Sequence, residues 1–275
     1  MDGSLQVDLV GITTDGDKWL DAPLAEVGGK GLFIKQLETA MLEGQADMAI
    51  HSMKDVPAVL PEGFCLPVIG WREDVRDALV SPFGTLTDLP QGARVGSSSL
   101  RRVSQLKALR PDLHLQPVRG NVDSRLKKLD AGDYDAIVLA AAGLNRLGLA
   151  ARITEIFEPD RCLPSAGQGA LGIECLAEHT ELLDLLAPLN DERTAKCVSA
   201  ERGVSEGLGA DCSMPLAAHA FFLDGVYTLT ARLASVDGLQ ILAASAQGPD
   251  ARDLSGRVVA ELNRQGAADL LDRLR

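Results

Sequence analysis

Two α/β lobes followed by a smaller C-terminal α+β unit with a small antiparallel sheet is the fold that the sequence predicts. Three observations lead there. Apolar runs of strand length alternate with helical periodicity over most of the chain, a βαβ rhythm that argues for parallel sheets with helices on both faces. The last third changes character, to strands joined by tight turns at Leu223-Asp224-Gly225 and Val236-Asp237-Gly238. The length, 275 residues with 46% hydrophobic and 24% charged, is about two domains' worth of ordinary globular chain at roughly 150 residues each.

The elements follow in order. Residues 6–12 read as a strand and 31–44 as a helix, with Phe33, Leu37, Ala40 and Met41 at helical spacing. Residues 47–52 form a short buried strand. Residues 93–96 form another, which runs through Ser97-Ser98-Ser99 into a helix ending near 109. A strand over 113–118 and a helix over 122–130 come next, and 135–142 is the most apolar strand of all. Residues 192–206 make one helix. Strands over 215–222, 226–234 and 239–246 then lead to a final helix over 250–264.

Composition excludes several functions. Twenty-seven basic against 39 acidic residues give a net charge of −12, so the molecule as a whole repels nucleic acid and anionic membranes. The longest apolar stretch, 136–144, is far short of the roughly 18 residues a membrane span needs. Met1-Asp2-Gly3-Ser4 offers neither a basic nor an apolar region of a secretory signal. Cys65, Cys162, Cys175, Cys197 and Cys212 show no CxxC and no zinc spacing. The expectation is therefore reduced thiols in a cytoplasmic protein with no metal site.

One stretch carries the opposite charge. Between Arg94 and Lys128, nine basic residues face two acidic ones. Arg101 and Arg102 fall in the first turn of a predicted helix, Arg119 ends a strand, Arg125 opens the next helix, and Arg146 follows the strand over 135–142. A cation in the first helical turn opposes the helix dipole by about 0.3–1 kcal/mol, and a bound anion removes that penalty. These corners lie at the carboxyl ends of strands, where open α/β sheets take their ligands. Gly28-Gly29-Lys30-Gly31 lacks the full phosphate-loop pattern, although Lys30 at a Gly-rich helix entry suits an anion. Aromatic residues are 4% and none interleaves with the arginines, which leaves a base-stacking surface without platforms. Arginines on separate corners suit a small ligand with many carboxylates. Among these bases stands one acid, Asp55, in His51-Ser52-Met53-Lys54-Asp55-Val56-Pro57. It is placed to bind N–H donors or to stabilise a developing cation, although a turn Asp is also common.

Six segments in order resemble the porphobilinogen deaminase (hydroxymethylbilane synthase) family. They are Gly28-Gly29-Lys30-Gly31-Leu32-Phe33, His51-Ser52-Met53-Lys54-Asp55-Val56-Pro57, Gly96-Ser97-Ser98-Ser99-Leu100-Arg101-Arg102, Arg119-Gly120-Asn121-Val122-Asp123-Ser124-Arg125, Ala141-Ala142-Gly143-Leu144-Asn145-Arg146, and Leu163-Pro164-Ser165-Ala166-Gly167-Gln168-Gly169. The resemblance spans nearly the whole chain. It implies two periplasmic-binding-protein-like (type II) lobes, the first from 1–70 with 168–188, the second from 71–167, and a C-terminal domain from 189–275. It implies a transferase that deaminates four porphobilinogen molecules and joins them head to tail into hydroxymethylbilane, in tetrapyrrole biosynthesis. The primer is a dipyrromethane cofactor in thioether linkage to a cysteine.

Residue by residue, the resemblance makes Asp55 the catalytic acid, which holds pyrrole N–H groups and stabilises the cation left as ammonia departs. Cys212, in Gly207-Leu208-Gly209-Ala210-Asp211-Cys212-Ser213, becomes the cofactor attachment. Ser99, Arg101, Arg102, Arg119, Arg125 and Arg146 become carboxylate binders, with Lys30, Ser52, Lys54 and Gln168. Porphobilinogen is the expected partner, with no nucleic acid, no membrane and a monomeric state. Three departures from the family pattern stand out. The segment Val7-Asp8-Leu9-Val10 matches the family's second strand, so a strand and helix that precede it in relatives are expected to leave a gap in the first lobe's sheet. Ala210-Asp211 replaces two glycines before the cysteine, where the acid is expected to raise the thiol pKa. Glu26 stands where a relative carries Lys. A two-lobed polycarboxylate-binding protein without catalysis, or an inactive homologue, is the competing expectation.

Overall fold

The computed structural model describes residues 5–14, 34–211 and 213–274. Helix α1 (Lys35–Leu42) leads into strand β1 (Met48–Ser52), a single 3-10 turn over Met53–Asp55, and strand β2 (Phe64–Arg72). The chain then builds β3 (Asp77–Val80), β4 (Arg94–Gly96), α2 (Leu100–Leu109), β5 (His114–Gln116), α3 (Val122–Asp130), β6 (Ala136–Ala140), α4 (Ala141–Arg146) and β7 (Glu155–Phe157). Strand β8 (Ala170–Leu176), helix α5 (Thr180–Leu186) and helix α6 (Glu192–Gly207) follow. The C-terminal part is β9 (Leu216–Leu223), β10 (Val226–Ala234), β11 (Ile241–Gly248), α7 (Leu254–Arg264) and α8 (Ala267–Asp272). No helix among the described residues is long and apolar enough to cross a membrane.

Three sheets result. The first has order β1-β8-β2 and is antiparallel throughout. The second has order β5-β4-β6-β3-β7, with β5-β4-β6 parallel and β3 antiparallel to both neighbours. The third is the meander β11-β10-β9. Each has its own core. Ile34, Met53, Val56, Ile69, Ala170 and Val198 pack at the first sheet. The five-stranded sheet is covered on both faces, around Phe157 and Leu106 on one and Leu144 and Leu126 on the other. The meander buries Leu229, Ala231 and Leu233 against Val204 of α6 and Val258 of α7. The alternation of buried residues along β10 up to Leu233 and along β11 is what a sheet with one wet face requires.

Several expectations are corrected. Residues 6–12 form no strand: a strand persists only through ladder partners, none is present for this segment among the described residues, and Leu9 is 91% exposed. The all-parallel expectation holds only for β5-β4-β6. Strands β2, β3, β7 and β8, unannounced in the sequence, supply the antiparallel pairings. Pro67 and Gly70 interrupt β2, and the buried charges Asp77 and Glu174 interrupt the apolar signal of β3 and β8. The most apolar strand stops at Ala140, where α4 begins. The third meander strand runs two residues later than expected, and the final helix starts at Leu254, with α8 added beyond Gly266.

The chain crosses between the first and second sheets twice, side by side. Glu73 N–H donates to Gly169 O at 3.1 Å. Gly169 has φ +87°, and a Cβ there would lie 2.5 Å from Glu73 O, so only glycine permits this approach. Helix α6, capped by Asp191, whose side chain accepts from Thr194 N–H (2.7 Å), reaches the crossing with Glu201. This fully buried carboxylate accepts from the Arg72 guanidinium through both oxygens (2.8 and 3.0 Å), from Gly167 N–H (2.7 Å) and from Ala220 N–H (2.7 Å). His219 Nδ1 lies 3.3 Å away. Burial pushes the Glu201 carboxyl up, but Arg72 and His219 outweigh it and hold it at about 2. A depressed folded value means that the stabilisation is full above the unfolded value of about 4.5 and fades as pH falls toward 2. The shift corresponds to about 3 kcal/mol. In urea titrations from pH 6 to pH 2.5, the native protein is expected to lose that contribution, whereas Glu201→Gln is expected to be weak already at pH 6 and correspondingly flatter.

Candidate active site

The carboxyl ends of β4, β5 and β6 point to one side of the five-stranded sheet, and the turn that follows β1 comes to that side. Ser99 precedes α2 and makes no capping hydrogen bond with its side chain. Ser98 Oγ ties the same corner to Val118 O (2.8 Å). Asn121 caps α3 by accepting from Ser124 N–H (2.9 Å), which sets Arg125 in the first helical turn. There Arg125 Nε donates to Gly120 O (2.7 Å). Arg119 is half-buried just before this cap. Arg146, the last residue of α4, donates from Nη2 to Gly169 O (2.7 Å) and so reaches the crossing segment.

Arg101 and Arg102 do not stand open to a ligand. They are 5% and 6% exposed, and the anion that first-turn cations call for is supplied by the chain itself. Fully buried Asp77, the first residue of β3, accepts from Arg101 Nη1 (2.6 Å), Arg102 Nε (2.9 Å), Arg102 Nη2 (2.7 Å) and Gln168 Nε2 (2.9 Å). Arg101 also donates to Leu163 O (2.8 Å) and Arg102 to Val138 O (3.1 Å). Burial and the Asp77 charge push the Cys162 thiol up to about 12, so it stays protonated and donates to Asp77 Oδ2 (3.5 Å). One carboxylate thus sits beneath two guanidiniums and leaves a net positive charge there.

Lys54 and Asp55 lie above this floor. Gly167, φ +72°, packs on the turn so closely that a Cβ would stand 2.8 Å from Met53 Cβ and 3.1 Å from Lys54 N. Burial pulls the Lys54 amine below its ordinary value; Arg102 and Arg101 add to this, against Asp55 and Asp77. Burial likewise lowers Arg125, with Arg102 and Arg119 adding and Asp55 opposing. Lys54, Arg101, Arg102, Arg119 and Arg125 therefore share one electrostatic field with Asp55 and Asp77. Asp55 itself is exposed, and among the described residues its carboxylate takes no hydrogen bond. Ser52 ends β1 half-buried beside it. Lys30 and Cys212 lie outside the described residues. Elsewhere in the basic stretch, Arg94 pairs with Asp135 and Arg110 with Asp112, Lys107 Nζ donates to Leu113 O, Lys128 Nζ donates to Arg119 O (3.4 Å), and Lys127 is exposed.

Asp77, Glu201 and Arg72 are the polar residues that sequence reasoning missed. The one signal for Asp77 is a charge opening the run Ala78-Leu79-Val80 after Arg76. An acid heading an apolar strand calls for a buried partner.

Among the described residues, Lys54 and Arg125 thus share a field with the exposed carboxylate of Asp55, an arrangement that suits a small polyanion. Comparison with known proteins makes the assignment specific. Residues 2–184 match the family model "Porphobilinogen deaminase, dipyromethane cofactor binding domain", and residues 195–264 match "Porphobilinogen deaminase, C-terminal domain". The porphobilinogen deaminase of Burkholderia pseudomallei (strain 668) is 53% identical over 274 residues, covering 98% of this chain and 83% of the relative. That of Burkholderia vietnamiensis is 52% identical, covering 98% and 82%. The chain belongs to the porphobilinogen deaminase family. Solved structures with a limited likeness to this chain include a TRAP periplasmic solute binding protein from Desulfovibrio salexigens (TM-score 0.37, 15% identity, 58% of this chain and 59% of that one). Another is an amino acid ABC transporter substrate-binding protein from Streptococcus pneumoniae (TM-score 0.34, 19% identity, 56% and 64%). The donor set fits a dipyrromethane with its carboxylate side chains: Lys54 and Arg125 lie in the field of Asp55, and Arg119 in that of Arg125, over a cationic floor.

Removing the floor's carboxylate leaves two buried cations uncompensated, which costs about 3–5 kcal/mol. Asp77→Asn is expected to lose that much stability in urea denaturation at pH 7. A loss below about 1 kcal/mol would place the counterion of Arg101 and Arg102 elsewhere.

Proposed function

We propose that this chain is the transferase that deaminates four porphobilinogen molecules and joins them head to tail into hydroxymethylbilane, in tetrapyrrole biosynthesis. The observation that carries the reading is Asp55, an exposed carboxylate that takes no hydrogen bond among the described residues and stands in the field of Lys54 and Arg125. The dipyrromethane, when bound through Cys212, supplies the pyrrole carbon to which substrate units are added. Asp55 accepts the pyrrole N–H and stabilises the positive charge that develops on the substrate as ammonia leaves, an interaction stronger in the transition state than before it. Lys54, Ser99, Arg119 and Arg125 bind acetate and propionate groups directly, with charge-assisted hydrogen bonds. Arg101, Arg102 and Gln168 act from the floor through Asp77, and Arg146 from the crossing. Carboxylates entering this field offset the mutual repulsion of its cations, so substrate binding is expected to weaken with salt.

The division that goes with this reading is a first lobe of 1–70 with 168–188, a second of 71–167 and a C-terminal domain of 189–275. The protein works as a cytoplasmic monomer. The two crossings between sheets and the separate cores support the division.

Asp55→Asn keeps size and removes charge. It is expected to retain its covalent cofactor and to lose turnover by about 10²–10³-fold, read by product formation in single-turnover assays. Near-normal turnover would remove Asp55 from this role. Intact-mass spectrometry of the protein and of Cys212→Ser checks the attachment. The masses are expected to differ by the cofactor as well as by the substitution, and a difference of the substitution alone would overturn it.

A further inference from the structure

Among the described residues the side chain of Asp55 takes no hydrogen bond, and its position follows the backbone that carries it. That backbone is held from α6. Arg202 donates from Nη1 to Val56 O (3.0 Å) and from Nη2 to Pro57 O (2.6 Å) and Ala58 O (3.0 Å). One planar guanidinium thus gathers three consecutive carbonyls directly after the acid. Pro57 has no N–H to offer, so this short segment is rich in acceptors, and a fork of donors is what it needs. Two neighbours on the same helix act on the same turn. Val198, one turn earlier, packs with Met53 and Val56. Glu201 accepts from Gly167 N–H, and Gly167 lies against Met53 and Lys54.

We propose that Arg202 is a positioning residue: through the carbonyls of Val56, Pro57 and Ala58 it fixes the Asp55 turn to α6. The helix that ends at Gly207, five residues before Cys212 in the sequence, thereby also dictates where the acid stands. The inference rests on the role given to Asp55 above. Arg202 touches neither substrate nor cofactor, and its effect passes through the turn.

The test uses the full chain carrying its cofactor, as Arg202→Met and Arg202→Lys. Hydrogen exchange followed by mass spectrometry compares the peptide over 53–60 with peptides over 192–207 and 226–248. In Arg202→Met, exchange in 53–60 is expected to rise about tenfold or more while the other peptides keep their protection. The kcat is expected to fall about tenfold to a hundredfold with KM within about twofold, because misplacing a reacting group costs rate rather than binding. Arg202→Lys, which keeps the charge but not the fork, is expected to recover part of both. Unchanged exchange in 53–60, or a rise shared by all three regions, overturns the proposal, since either result leaves Arg202 with a general structural role. A turn that loosens with turnover intact overturns it as well. The exchange result does not depend on what Asp55 does, so turnover surviving in Asp55→Asn would refute the acid's role and remain distinguishable from a failure here.

Discussion

A single buried carboxylate joins the parts of this molecule. Glu201 is reached by no water, yet it accepts from the Arg72 guanidinium and from two backbone N–H groups that belong to different parts of the chain. An ion buried to that degree is tolerated only when its acceptor sites are filled, and here filling them requires the first crossing, the second crossing and the edge of the meander to be in place together. The relation among the three sheets is thus tied to the ionisation of one side chain. Placing the neighbouring Arg202 on the same helix extends that hold to the turn bearing Asp55.

A second buried carboxylate, Asp77, organises the opposite side of the cleft. Arginines in the first turn of α2 oppose the helix dipole, and the protein answers with its own anion rather than waiting for a ligand. The result is a graded site. Cations deep in the floor are already paired and hold their positions, while above them burial and neighbouring guanidiniums hold the pKa of Lys54 and of Arg125 below its ordinary value. This order is consistent with the proposed binding of a growing polycarboxylate, since the upper cations are supported from beneath by charges that are already paired.

Much of this was legible in the sequence, and the rest was hidden for definite reasons. The parallel trio β5-β4-β6, the helices after it and the C-terminal meander follow the expected periodicities closely, because each buries a regular apolar face. The corner with Arg125 was readable because a cation in a first helical turn is a local anomaly. The pairing of Arg101 and Arg102 with Asp77, 24 and 25 residues away in sequence, was not readable. A basic run reveals its charge but not which acid folds beneath it. The antiparallel strands β2, β3 and β8 escaped notice because proline, glycine and buried acids break their patterns at the positions where the crossings and the floor are built. Family resemblance named candidate residues, whereas geometry separated exposed Asp55 and half-buried Lys54, Arg119 and Arg125 from Arg101, Arg102 and Gln168, which are buried around Asp77.

The side-by-side crossing has a topological consequence. Because Glu73 and Gly169 are hydrogen-bonded neighbours, everything between them leaves the first sheet and returns at one point, so the five-stranded unit is an insertion with pinned ends. Closing so long an excursion costs little more entropy than closing a short one, since that cost grows only with the logarithm of length. The cassette can therefore lengthen, shorten or exchange its outer loops without disturbing the scaffold that hosts it.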